Sequence, residues 1–150
     1  YYGDEIGIPG GGDPDNRRPM YFTGLSENEA ENLAVSQKIG QFRKDFLPCI
    51  YGDFSFEKIE KQILVYRRKY FEEFAYVCFN KSRSTQTIEI QMKESVDSTT
   101  LQSFTQCKFY TKNLLLYIEV PPMSFDIIYH RQQAKPKPKP FIGNYEEFLN

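Results

Sequence analysis

The sequence predicts a mainly β protein, an antiparallel β-sandwich preceded by a long loop and one helix. Three observations lead there. Aromatic residues make up 16% of the 150, as 13 Phe and 11 Tyr without Trp, and aromatics favour strands. From about residue 54 the apolar residues recur every second position in short runs broken by turn formers. Helical spacing is confined to one stretch, residues 27–46.

Composition excludes several classes. Hydrophobic residues at 40% and charged residues at 26% mark a globular chain rather than a disordered one. The formal net charge is −1, so the basic face that nucleic-acid binding needs is missing. No apolar run approaches the ~20 residues that span a bilayer. Neither nucleic acid nor a membrane is an expected partner. The chain opens on Tyr1-Tyr2-Gly3, without Met and without a basic-then-apolar leader, and reads as cut from something longer. Cys49, Cys78 and Cys107 are odd in number and lack metal-ligand spacing, so buried free thiols are expected.

Residues 1–24 read as a long loop. Gly10-Gly11-Gly12, Asp13-Pro14 and Asn16 do not fit a regular element. Loops of such length are often functional. Ser26 with Glu29 three residues on is a capping box. Glu27 and Glu31 suit the positive end of the helix dipole, and Arg43 and Lys44 the negative end. Val35, Ile39, Phe42 and Phe46 form an apolar stripe, and Pro48 marks the stop.

Strands are expected at 63–68 and at 74–80, the latter apolar on both faces and therefore central. Further strands are expected at 87–92, 107–110, 114–120 and 125–129, the last two split by Pro121-Pro122. Arg67-Arg68-Lys69 reads as a solvated strand end. Lys135 to Pro140 alternates Lys and Pro, an extended spacer, and residues 141–150 form a short tail.

The residues that carry chemistry lie in the first twenty. Tyr1-Tyr2-Gly3-Asp4-Glu5-Ile6-Gly7 is followed by Gly11-Gly12-Asp13-Pro14-Asp15-Asn16-Arg17-Arg18-Pro19-Met20. This pairing resembles the end of the eighth strand and the following loop of α-amylase-family glycoside hydrolases. It is most similar to the neopullulanase, cyclomaltodextrinase and maltooligosaccharide-cleaving branches. The resemblance is motif-specific over residues 1–20 and extends in element order to about residue 130.

It implies that residues 1–47 are the last strand end, loop and helix of a (β/α)8 barrel. Residues 48–133 would be the β-sandwich C-terminal domain, and 134–150 a linker and tail. It implies an α-glucan partner such as starch, maltodextrin or pullulan. Asp13 and Arg17 would contact a glucosyl unit on the non-reducing side of the cleaved bond. A carboxylate accepts from sugar hydroxyls and a guanidinium donates in a fixed fork, so the chemistry agrees.

The family's mechanism is retaining and needs two flanking carboxylates. By the resemblance these come from earlier strands, upstream of Tyr1, so this segment alone is expected to be inactive. Asp4 and Glu5 read as structural groups rather than that pair. The residues call for no cofactor; calcium is a matter for a full-length enzyme. Family analogy implies a periplasmic or extracellular setting.

Other features have plain readings. His130 is unaccompanied and reads as a surface or packing residue. Gly10-Gly11-Gly12 lacks the lysine and spacing of a phosphate cradle. Strand aromatics are core packing before they are sugar platforms. Two alternatives stay open: a transglycosylase of the same family, and a non-catalytic carbohydrate-binding or structural β-domain. The helix stripe needs a covering surface, either the β-domain or a second copy through self-association at 27–46.

Overall fold

A computed structural model describes residues 2–132. The expected Lys-Pro spacer and the tail lie outside them. Two short 3-10 turns, Asp4–Ile6 and Asp15–Arg17, lead into helix α1 (Glu27–Asp45), then short helix α2 (Leu47–Tyr51). Eight strands follow: β1 (Asp53–Ile59), β2 (Ile63–Tyr70), β3 (Glu73–Asn80), β4 (Gln86–Gln91), β5 (Leu101–Ser103), β6 (Phe109–Lys112), β7 (Leu115–Val120) and β8 (Ser124–His130).

They form a five-stranded sheet in the order β1-β2-β3-β8-β5 and a three-stranded sheet in the order β4-β7-β6. All pairings are antiparallel. The fold is the predicted one, mainly β and antiparallel.

The two sheets share one core. Val65, Tyr76, Cys78 and Ile128 from the larger sheet meet Ile88, Ile90, Leu116, Ile118 and Val120 from the smaller. The alternation of β4 and β7 explains this, because successive side chains point to opposite faces. β3 lies central in its sheet, and its apolar character on both faces has a cause. Its other face belongs to a second cluster with Phe46, Ala75, Val77, Phe104 and Ile127.

Helix α1 begins where the capping box puts it. Ser26 N–H donates to Glu29 Oε2 at 2.7 Å, and Glu29 N–H donates to Ser26 Oγ at 3.4 Å. Ser26→Ala is expected to cost about 1 kcal/mol of stability, read as a lower urea midpoint.

The stripe is used unevenly. Phe42 sits 5.0 Å from the rings of Phe46 and Tyr129 and 5.2 Å from Phe104. Phe46 is fully buried, while Val35 and Ile39 stay 40% and 37% exposed. Lys38 Nζ donates to Phe104 O at 2.8 Å and Arg131 to Asp45 O at 3.0 Å. The C-terminal half of the helix is thus fastened to the larger sheet, and its middle is not covered.

Three expectations need correction in detail. Helix α1 ends at Asp45, close to the expected boundary, but Pro48 does more than mark the stop: it stands in the first turn of α2, where its missing N–H costs nothing. Gly52 then lets the chain turn into β1, since a Cβ there would lie 2.5 Å from Pro48 O and 2.7 Å from Lys69 O.

Arg67-Arg68-Lys69 is not a solvated strand end. Arg67 pairs with Glu94, and its Nε lies 3.4 Å from Glu57. Arg68 Nε donates to Pro48 O at 3.0 Å, and Lys69 lies 3.6 Å from Glu94. The three cations anchor acids and a helix end from neighbouring elements.

Third, the strand expected from Cys107 starts only at Phe109. The three cysteines are free thiols. Burial pushes the thiol of Cys78 well above its ordinary range.

Candidate functional site

The glycine-rich loop before α1 is built from the backbone outward. Gly3 adopts φ 89° and Gly7 φ 67°, the left-handed region that glycine enters freely. A Cβ at Gly3 would also lie 2.6 Å from Ile8 Cδ1. The 3-10 turn between them buries Ile6 and leaves Asp4 exposed. The described residues before it are not paired in a strand.

The second turn centres on Asp15. Its Oδ2 accepts from Gly11 N–H at 2.9 Å and its Oδ1 from Arg18 Nε at 2.9 Å. Asp15 N–H donates to Gly12 O at 2.9 Å, and Tyr2 Oη donates to Arg18 O at 2.9 Å. The hydrogen bond from Arg18 is the main reason the Asp15 carboxyl lies below its ordinary range. A Cβ at Gly10 would come within 3.1 Å of Asn16 Cα, so that glycine serves close packing of the loop on itself.

On this scaffold stand Asp13 and Arg17. Arg17 Nε lies 3.1 Å from Asp13 Oδ1, and both side chains are largely exposed, at 70% for Arg17 and 64% for Asp13. The Asp13-Pro14 peptide is cis. The two residues picked out from sequence are therefore together and open to solvent.

Asp15, Arg18 and Tyr2 were missed as site-building residues. The spacing of Asp15 and Arg18, three apart, was the signal that could have found the first two. Downstream, Tyr21 Oη donates to Glu29, joining the loop to the cap of α1. That bond is the leading cause both of the raised Tyr21 phenol and of the lowered Glu29 carboxyl.

His130 lies away from the loop. Its ring stacks on Phe74 with centroids 5.6 Å apart, and Nδ1 is 2.9 Å from Thr100 Oγ1. Among the described residues no group of three or more His, Cys, Asp and Glu gathers as a metal-holding set.

The fold is shared with solved structures. An Anoxybacillus α-amylase superimposes with a TM-score of 0.74 at 24% identity, over 89% of this chain and 29% of that one. A Geobacillus thermoleovorans α-amylase, solved in complex with acarbose, superimposes with a TM-score of 0.71 at 24% identity, over 89% and 29%. These likenesses concern the fold.

In sequence, a cyclomaltodextrinase of Geobacillus thermopakistaniensis (strain MAS1) is 30% identical over 128 residues, 83% of this chain and 21% of that protein. A cyclomaltodextrin glucanotransferase of Bacillus sp. (strain 38-2) is 32% identical over 87 residues, 57% of this chain and 12% of that protein. No protein-family model matches. The chain belongs to the α-amylase family and corresponds to a C-terminal part of its members. It spans about a fifth of the cyclomaltodextrinase it matches.

Proposed function

We propose that these residues are the C-terminal part of a glycoside hydrolase acting on α-1,4-glucans by a retaining mechanism. Its two catalytic carboxylates would be supplied from outside this chain. Asp13 and Arg17 then line the substrate cleft and hold one glucosyl unit, Arg17 donating to vicinal hydroxyls and Asp13 accepting from them.

The exposed Asp13–Arg17 pair carries this reading. An exposed ion pair contributes only about 0–1 kcal/mol to stability, so stability is a poor reason for it. Asp15, by contrast, spends its acceptors on the loop's own backbone and on Arg18. That division leaves a pair set in place before ligand arrives, which lowers the ordering cost of binding.

The cyclomaltodextrinase relative and the acarbose-bound α-amylase neighbour support carbohydrate as the partner. The similarity to a cyclomaltodextrin glucanotransferase favours a second reading, transfer to a sugar acceptor instead of water. The exposed Val35 and Ile39 on α1 would be covered by the catalytic body, or by a second copy of the chain.

The test uses the protein that contains this chain together with its catalytic body. Incubation with maltohexaose should give shorter maltooligosaccharides that retain the α-anomer. Products longer than the substrate would favour transfer. Absence of any turnover would overturn the enzymatic reading and leave a binding or structural β-domain. The 150 residues alone should release no reducing sugar.

A further inference from the structure

We propose that Glu29, the third residue of α1, is a positioning residue for the proposed reaction: through Tyr21 it fixes where the Asp13–Arg17 pair stands. This rests on the reading of that pair as a contact to a glucosyl unit.

The loop meets α1 at both of its ends. Upstream, the 3-10 turn Asp4–Ile6 packs on the helix. The backbone there comes so close that a Cβ at Gly7 would lie 3.1 Å from Asn32 Nδ2. Downstream, Tyr21 Oη donates to Glu29 Oε1. Glu29 and Asn32 are three apart and so share one face of the helix. Asp13 and Arg17 stand on the arc between these two anchors.

Two kinds of bond hold that arc. Asp15, accepting from Gly11 N–H and from Arg18, fixes its internal shape. Tyr2, donating to Arg18 O, joins it to the residues before the first turn. The Tyr21–Glu29 bond ties the shape so made to the helix.

The chemistry of residue 29 singles it out. A capping box needs a side-chain acceptor at this position, and glutamine serves as well as glutamate. A carboxylate carries a second accepting oxygen. In Glu29, Oε2 takes Ser26 N–H at 2.7 Å and Ser26 Oγ at 2.8 Å, which leaves Oε1 to Tyr21. One side chain thus starts the helix and holds the loop. Tying an arc at its second end removes conformations in which the pair is displaced. Apparent affinity scales with the fraction of molecules already in the binding conformation. Freeing Tyr21 therefore weakens substrate binding and spares the chemical step.

The test is steady-state kinetics on maltohexaose, with Tm measured in parallel, on protein that carries this chain and its catalytic body. Tyr21→Phe should raise KM about three- to tenfold, the range of one ordinary hydrogen bond. Its kcat and Tm should barely move, since the bond is exposed. Ser26→Ala should do the reverse. It lowers Tm through the lost cap and leaves KM alone, because Ser26 N–H still holds Glu29 Oε2. Glu29→Gln can cap with its carbonyl and meet the Tyr21 hydroxyl with its amide, so its KM should stay closer to wild type than that of Glu29→Ala. In a background carrying Asp13→Ala and Arg17→Ala, Tyr21→Phe should raise KM no further, because the residues it positions are gone.

An unchanged KM for Tyr21→Phe, where Arg17→Ala still lowers kcat/KM, overturns the positioning role and leaves the proposed function standing. A KM rise in Ser26→Ala as large as in Tyr21→Phe makes the bond a matter of fold stability and also overturns it. So does an undiminished effect of Tyr21→Phe in the background without Asp13 and Arg17. A wild type without turnover overturns the proposed function and the positioning role together.

Discussion

Glu94→Ala is expected to lower stability by about 3–5 kcal/mol, the cost of removing one partner from a buried ion pair. The side chain of Glu94 is 6% exposed. It accepts from Arg67 and, at 2.7 Å, from the hydroxyl of Tyr76. Burial is the main cause that raises the Tyr76 phenol far above its ordinary range, so it remains an O–H donor. That hydroxyl in turn accepts from Lys93 N–H at 3.1 Å.

Removing the carboxylate strips Arg67 and Tyr76 of an acceptor in a site that is nearly closed to solvent. Glu94→Gln, which keeps the shape and one acceptor, should lose less. Replacing Arg67 and Glu94 together by apolar residues should come closer to neutral, as charges buried in pairs often do. Urea unfolding of the three variants reads all of this. A loss under about 1 kcal/mol for Glu94→Ala would put the cluster at the level of a surface pair.

The same cluster gives a pH dependence. Burial raises the Glu57 carboxyl, but hydrogen bonds from Lys93 and Ser55 and the charges of Lys93 and Arg67 outweigh it. The net position is below the ordinary value of 4.5. Glu57 therefore stabilises the fold above pH 4.5, and that contribution fades as pH falls through the lowered value. Glu57→Gln should flatten the acid side of the stability curve.

Arg17→Ala, in protein that carries the catalytic body, is expected to lower kcat/KM on maltooligosaccharides about ten- to hundredfold. A hydrogen bond to a charged group is worth about 1.5–3 kcal/mol, and each 1.4 kcal/mol is tenfold. Arg17→Lys should recover little, because an ammonium does not offer the guanidinium fork. Asp13→Ala should fall in the same range. Asp15→Ala should act through loop order, raising KM more than it lowers kcat, with a smaller total effect. Tm should barely move for Arg17→Ala, since the pair is exposed. A large Tm loss with unchanged kcat/KM would make the pair a loop brace.

Much of this was legible in the residues. Ser26 and Glu29 set the helix start because capping is local chemistry. Strands β2, β3, β4, β7 and β8 followed from alternation and from Pro121-Pro122. The pairing of Asp13 with Arg17 was legible from spacing together with family likeness.

What stayed hidden depends on tertiary partners. β5 is three residues long and exists because Leu101 to Ser103 pair with the end of β8. Strand β1 is an edge strand whose Phe54 and Phe56 are exposed, while its inward face carries Ser55 and Glu57, so its pattern lacks an apolar buried face. Arg67 looked solvated because Glu94 lies 27 residues away along the chain. The positive φ of Phe71, between β2 and β3, gave no signal, since nothing in the side chain's chemistry calls for it.

The most direct measurement is a crystal structure of the protein, catalytic body included, soaked with a maltooligosaccharide or acarbose. The account predicts a glucosyl unit with hydroxyls about 2.7–3.2 Å from Asp13 and from Arg17. A sugar seated in the catalytic cleft with Asp13 and Arg17 still paired to each other and touching no hydroxyl would contradict it.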